Sequence, residues 1–274
     1  MDFTNIIYAV LILGAIAIVF GALLALVSRV FAVERDERYD HVLELLPGAN
    51  CGGCGFAGCS NLAEALIEGK APITACPVAK QDAREKIAEV LGVQLTRNER
   101  LQALVRCSGG KRCAKKFDYV GPKDCNAANR LAGGHMECQY GCLGLGSCVA
   151  ECAFDALHIV NGVAVVDHDK CTGCLKCVKA CPRNIIVPIP YTADVNVACA
   201  SHDKGADLRK ICEIGCIGCK LCEKNCPEGA ITVNDNLASI DYSKCTTCGI
   251  CAEKCPRHLI VNAKLLDLYP EKGY

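Results

Sequence analysis

Residues 216 to 227 read CIGCKLCEKNCP. Three cysteines spaced two residues apart bring three sulfurs to one point, and a fourth follows three residues later with proline behind it. A disulfide needs only two sulfurs at a defined separation. Zinc prefers two close pairs parted by a longer loop. The x2, x2, x3-Cys-Pro spacing is instead that of iron–sulfur ligation. It returns at 245–256, CTTCGICAEKCP, and at 171–182, CTGCLKCVKACP. The chain has 274 residues and an odd 25 cysteines, too long and too tightly grouped for a small disulfide-stapled domain. With 5% aromatics and no Trp, its domains need such staples, because the apolar core is thin.

Where two such runs stand together, the fourth cysteine of each ligates the other cluster. Cys216, Cys219, Cys222 and Cys255 are therefore expected to hold one [4Fe-4S] cluster, and Cys226, Cys245, Cys248 and Cys251 its neighbour. AITVND and ASIDYSK, between the runs, read as short strands. This gives an α+β two-cluster ferredoxin module over 191–274. Upstream, CQYGCLGLGSCVAEC (138–152) aligns without a gap on CEIGCIGCKLCEKNC (212–226), except that Leu145 faces Cys219. A second two-cluster module is expected over 138–190. In it Cys138 replaces the missing ligand, so that Cys138, Cys142, Cys148 and Cys181 hold one cluster, and Cys152, Cys171, Cys174 and Cys177 the other. If Cys138 serves elsewhere, the site becomes a three-iron cluster or has an open iron corner.

Five cysteines remain, Cys107, Cys113 and Cys125 in an insertion at 93–137 and Cys199 and Cys212 in the second module. The spacing Cys125-x12-Cys138-x3-Cys142 recurs as Cys199-x12-Cys212-x3-Cys216. A further cluster on Cys107, Cys113 and Cys125, with Cys199 or Cys212, and a set of buried structural thiols are both open readings. Nearer the N-terminus, CGGCGFAGC (51–59) precedes Cys76-Pro77, with a helix pattern, SNLAEALIEGK, between them. Cys51, Cys54, Cys59 and Cys76 form the expected ligand set of a small helical [4Fe-4S] domain over 47–92, with zinc as the alternative metal. The glycines let backbone N–H groups crowd the sulfides. The expectation is at least five clusters, or six with the extra set.

Ile6 to Val27 is 22 residues without a charge, 14 of them Leu, Ile, Val or Phe. At ~1.5 Å per residue a helix of that length crosses a hydrocarbon layer of about 30 Å. A transmembrane anchor over 1–28 is expected, followed by a connector at 29–46; a signal peptide is the rival, but the run is long for one and no basic residue precedes it. Asp2 lies before the run and Arg29, Arg35 and Arg38 after it, which places the N-terminus outside and the cluster domains on the cytoplasmic side of the inner membrane. Ala17, Gly21 and Ala25, with Gly14, make a small-residue stripe.

Thirty basic and 30 acidic side chains balance, but each oxidised four-thiolate cluster adds roughly −2, so the loaded protein is acidic. Lys170, Lys176, Lys179, Arg183, Lys220, Lys224, Lys244, Lys254 and Arg257 lie beside the cluster runs and partly offset this. No GxGxxG follows a strand, no phosphate-binding Walker loop appears, and no His or carboxylate pair has a catalytic setting. Nothing points to nucleic acid. The chain reads as a wire without substrate chemistry of its own.

An apolar span, then CGGCGFAGC with Cys76-Pro77, then ferredoxin modules: that order resembles the B subunits of Rnf complexes, the ion-translocating ferredoxin:NAD+ oxidoreductases. The resemblance covers residues 1 to about 92 and the ferredoxin runs. The chain departs from the simplest family pattern in the insertion, at Leu145 and in its second ferredoxin pair. The resemblance implies integral-membrane partners and partners with flavin (FMN, riboflavin) and NAD(H) sites, soluble ferredoxin as donor, membrane lipid around the anchor, and a redox span that drives Na+ or H+. A membrane-anchored polyferredoxin feeding a quinone or hydrogenase-type acceptor, and a zinc-binding interaction scaffold, are the competing readings.

Overall fold

The structure, a computed structural model, describes residues 3–30, 36–95 and 99–262. Helix α1 (Phe3–Val30) opens the chain. Its longest stretch of described side chains without a gap, 11–27, is exposed throughout and covers about 26 Å of axis. The membrane-spanning anchor expected at the N-terminus is corrected here: among the described residues no helix is long and apolar enough to cross a membrane. Asp2 and Arg35, on which the expected orientation partly rested, lie outside the described residues.

A small helical domain follows. It comprises α2 (Arg38–Leu45), α3 (Cys59–Ile67) and α4 (Gln81–Leu91). Leu62 and Leu66, one turn apart on α3, pack with Val42 of α2 and Ile87 of α4 into one core that also takes in Cys59 and Cys76. Gly92 stops α4 with φ +65°, the left-handed cap that glycine adopts without penalty. Arg84 is buried and donates to the Cys76 carbonyl at 2.7 Å, which ties the last cysteine of this domain to α4.

The rest is two copies of one plan. The first runs β1 (Leu101–Val105), α5 (Cys125–Arg130), α6 (Ser147–Ala150), β2 (Leu157–Val160), β3 (Val163–Val166), α7 (Lys176–Ala180) and β4 (Ile186–Pro190). The second runs β5 (Val195–Val197), α8 (Gly205–Ile211), α9 (Leu221–Lys224), β6 (Ile231–Asn234), β7 (Leu237–Ile240), α10 (Ile250–Glu253) and β8 (Ile260–Asn262). In each copy the outer strands pair antiparallel, Val105 facing Ile186 and Val197 facing Ile260, and the middle strands form a hairpin. The hairpins follow from local chemistry. β6 alternates buried Ile231 and Val233 with exposed Thr232 and Asn234. Its two-residue turn, Asp235-Asn236, has both φ positive (47° and 62°), as does Asn161-Gly162 between β2 and β3 (50° and 79°). β1 lies within the stretch set apart by sequence as an insertion, so the first module closes through residues far upstream of Cys138.

Two-stranded sheets of three to five residues are marginal on their own. Each is packed on its module's cysteines instead: Val105, Leu157, Val163 and Ile186 against Cys142, Cys148, Cys171 and Cys177 in the first, and Val197, Ile231, Leu237 and Leu259 against Cys216, Cys222, Cys251 and Cys255 in the second.

Candidate cluster-binding centres

All 25 cysteines are free thiols, and only Cys219 and Cys248 are exposed. In the helical domain Asn50, held at φ +44°, accepts from the Cys59 backbone N–H at 2.8 Å and so fixes the start of α3. Burial pushes the Cys76 thiol up, and the nearby charges of Cys54 and Cys59 push it further. Gly53 lies against the first module: a Cβ there would sit 3.1 Å from Cys174 Cβ. The Cys51 charge reaches Cys174 as well.

Within the first module, burial pushes the Cys177 thiol up to about 12, with Cys171, Cys174 and Cys152 adding to it in that order. The Cys152 sulfur accepts from the Ala156 N–H at 3.3 Å, and Arg100 donates to the Cys171 carbonyl at 2.9 Å. The second module repeats this. Burial pushes Cys222 up to about 11, followed by the charges of Cys216, Cys255 and Cys219. Cys251 is raised by burial, then by Cys245, Cys226 and Cys248. The Cys226 sulfur accepts from Ala230 N–H at 3.3 Å, the counterpart of Cys152 and Ala156. Cys152, Cys171, Cys174 and Cys177 of the first module, and both sets of the second, are thus brought together as crossing ligation groups them.

The remaining site differs from the sequence expectation. A pocket lined by Val105, Leu143 and Ile186 brings Cys125, Cys142, Cys148 and Cys181 together. Burial pushes Cys148 up to about 12, with the charges of Cys125, Cys181 and Cys177 behind it. Cys125, not Cys138, thus stands where Leu145 leaves a gap. Its N–H is accepted by Ser147 Oγ at 2.6 Å, and Ser147 donates to Asp124 at 2.9 Å while Asp124 caps α5 through Ala127 N–H at 2.7 Å. The sequence signal that could have found it is Asp-Cys-Asn, an N-cap placing a thiol on the first turn of a helix. Cys138 lies instead beside Cys107, Cys113 and Cys212. Cys199 points to Cys216, whose N–H it accepts at 3.3 Å.

These groups fit iron–sulfur clusters by their donor chemistry: unpaired sulfurs in fours, most of them buried or half-buried, with backbone N–H groups on several of them. Among the described residues no three His, Cys, Asp or Glu side chains converge closely enough for a single metal ion.

Comparisons with known proteins agree. Residues 46–78 match a family of Fe-S cluster segments, residues 164–187 a 4Fe-4S binding domain and residues 215–259 a 4Fe-4S dicluster domain. The chain is 44% identical over 257 residues (93% of it, 97% of the relative) to the B subunit of the ion-translocating oxidoreductase complex of Methanosarcina acetivorans. It is 43% identical over 251 residues (91% of it, 75% of the relative) to the B subunit of the Na+-translocating ferredoxin:NAD+ oxidoreductase complex of Acetobacterium woodii. It is equally similar, 43% over 257 residues (92% and 90%), to the B subunit of the proton-translocating ferredoxin:NAD+ oxidoreductase complex of Clostridium ljungdahlii. With these likenesses spanning nearly its whole length, the chain belongs to the family of B subunits of ion-translocating, Rnf-type oxidoreductase complexes, as an iron–sulfur electron-transfer subunit.

Proposed function

We propose that the chain takes electrons from reduced ferredoxin and hands them to flavin- and NAD-binding partner subunits that reduce NAD+, while Na+ or H+ crosses a membrane elsewhere in the same complex. The observation that carries this reading is continuity. Gly53 of the helical domain lies against Cys174, Cys148 shares a pocket with Cys142, whose N–H donates to the Cys107 sulfur at 3.4 Å, and Cys199, in one pocket with Cys107, accepts from the Cys216 N–H at 3.3 Å. Sulfur groups thus follow one another from the helical domain to the second module.

The ligand sets proposed are Cys51, Cys54, Cys59 and Cys76; Cys152, Cys171, Cys174 and Cys177; Cys125, Cys142, Cys148 and Cys181; Cys216, Cys219, Cys222 and Cys255; and Cys226, Cys245, Cys248 and Cys251. When bound, a [4Fe-4S] cluster supplies one-electron exchange. The chain's own residues do the rest. Their thiolates hold iron and release protons in doing so. Buried Cys142, Cys148 and Cys177 keep water away, and the Ala156 and Ala230 N–H groups stabilise negative charge on sulfur. Relatives named for Na+ and for protons are equally similar to the chain, so the ion is chosen by other subunits. Ion translocation requires a membrane-associated complex, and reduced thiols suit its cytoplasmic side.

Anaerobic mixing of the iron-loaded chain with reduced ferredoxin tests this. Bleaching of the visible absorption and EPR signals of reduced [4Fe-4S] centres are expected, as is co-purification of flavin-bearing partners. A chain that stays oxidised beside reduced ferredoxin, or that carries zinc in place of iron, sinks the proposal.

A further inference from the structure

The residues between β1 and α5 do more than connect. Residues 113–115, just after a short 3-10 turn at Gly110–Arg112, lie as an extended segment between the two modules. On one side Ala114 N–H donates to the Ile211 carbonyl at 2.8 Å and Glu213 N–H to the Arg112 carbonyl at 3.0 Å. On the other, Glu137 N–H donates to the Ala114 carbonyl and Lys116 N–H to the His135 carbonyl, both at 2.8 Å. Cys113 faces Cys212 across an isolated antiparallel bridge, and the two line one pocket with Cys138.

Cys107 completes the group. A Cβ on Gly109 would sit 3.4 Å from Cys212 Sγ, 3.7 Å from Cys107 Sγ and 3.3 Å from Cys113 Cβ, so glycine is what lets these three cysteines approach. Met136, Leu208, Ile214 and Ala198 line the same pocket. Each module contributes an equivalent cysteine, Cys138 four residues before Cys142 and Cys212 four before Cys216. The arginine after the last Cys-Pro of each module, Cys181-Pro182 and Cys255-Pro256, secures that segment. Arg257 donates to the Cys212 carbonyl at 2.8 Å, and Arg183 to the carbonyls of Gln139 and Gly133.

We propose that Cys107, Cys113, Cys138 and Cys212 are the ligands of a sixth [4Fe-4S] cluster, seated at the seam between the two ferredoxin modules. The proposal rests on the electron-relay reading above and extends it to residues that none of the matched domain segments includes. Iron–sulfur chemistry is favoured over zinc by two features. The four cysteines lack the close pairs of a zinc site, being separated by 5, 24 and 73 residues. They also fill the gap in a redox line: the Cys107 sulfur accepts from Cys142 N–H at 3.4 Å, next to the first module's cluster pocket, and Cys199, on the wall of the seam, accepts from Cys216 of the second. One electron entering from one module leaves to the other, with no bond made and no proton moved. Cys199 is the spare thiol, a wall rather than a ligand.

The test is metal and sulfide analysis with native mass spectrometry of the full chain, reconstituted anaerobically with iron and sulfide. About 24 irons and as many sulfides per chain are expected, four to a cubane. Cys113→Ser and Cys138→Ser should each lose about four irons and the EPR signal of one centre, while Cys199→Ser keeps the full count. Wild-type chain with about 20 irons overturns the proposal, whether the seam is then empty or holds one zinc. Loss of iron in Cys199→Ser but not in Cys113→Ser overturns the ligand set. The native mass of the wild-type chain decides the count even if a variant fails to fold. A count near 24 in a chain that ferredoxin does not reduce would refute the relay function and leave this site standing.

Discussion

Cys125 and Leu145 exchange roles that spacing alone would assign the other way. Leu145 occupies a regular ligand position but packs against the buried cluster that holds Leu143 and Met136, and a thiol from α5 reaches in from 20 residues upstream. Cys125→Ser should therefore cost the chain about one cluster, read as about four irons per chain. Adding Leu145→Cys should restore them by rebuilding the uninterrupted run. Cys138→Ser should not touch this centre's EPR signal. Sequence points to Cys138 because it is the nearest spare thiol along the chain. Proximity in space is set by an N-cap and a serine bridge, which have no periodic signature. Tyr242 presents a different kind of residue-scale test. Its hydroxyl donates to fully buried Asn196 at 2.7 Å, and burial pushes it up to about 12. An unfolded tyrosine titrates near 10, so the folded chain keeps a proton that the unfolded chain gives up. Stability is full below about pH 10 and is lost as pH rises towards 12. The thermal midpoint of the iron-loaded chain should fall over that window in wild type and fall less in Tyr242→Phe, which at neutral pH should be the less stable by about 1–3 kcal/mol for the unpaired Asn196.

The elements legible in the sequence are those whose cause is local. The β6–β7 hairpin follows from period-two burial and a two-residue turn, and the stop of α4 follows from Gly92. The β1–β4 pair is hidden because its cause is distant. Leu101–Val105 is five residues of ordinary composition, and its partner lies beyond Cys181-Pro182. The extended segment at 113–115 is hidden for the same reason, since it and its neighbours bond to residues 135–137 and 211–213. Among the local devices, Gly162 gives a test of backbone conformation alone, since a Cβ there would meet nothing closer than 3.5 Å. It sits at φ +79° in the β2–β3 turn, where a side chain costs roughly 1–2 kcal/mol. Gly162→Ala should lower the unfolding free energy by that order, measured by denaturant titration of the loaded chain. An unchanged midpoint would mean that the hairpin does not report on the module.

Over the whole molecule, order along the chain and order in space coincide only in part. The helical domain meets the first module at Gly53 and Cys174, and the two modules meet across residues that belong to neither ferredoxin run. Gly53→Ala would press on Cys174 Cβ and carbonyl, 3.1 and 3.2 Å from the new methyl carbon. Iron content should stay at the wild-type value while electron passage from the first module to the helical domain slows, followed by rapid-freeze EPR. Loss of iron instead would show that the contact holds the cluster rather than the spacing. The cores themselves, small strands laid on sulfur, explain why domain count and motif chemistry are readable from sequence while the joins are not: the runs carry their own spacing, but the joins are made by glycines and carbonyls.

Cys219 and Cys248 are the two most exposed thiols, and they lie on the two different proposed centres of the second module. Dioxygen reaches that end of the molecule before any other. Brief aeration should corrode the C-terminal module first and leave the centre at Cys142 and Cys148 intact longest, so oxygen damage to this protein should start at one end and travel inward.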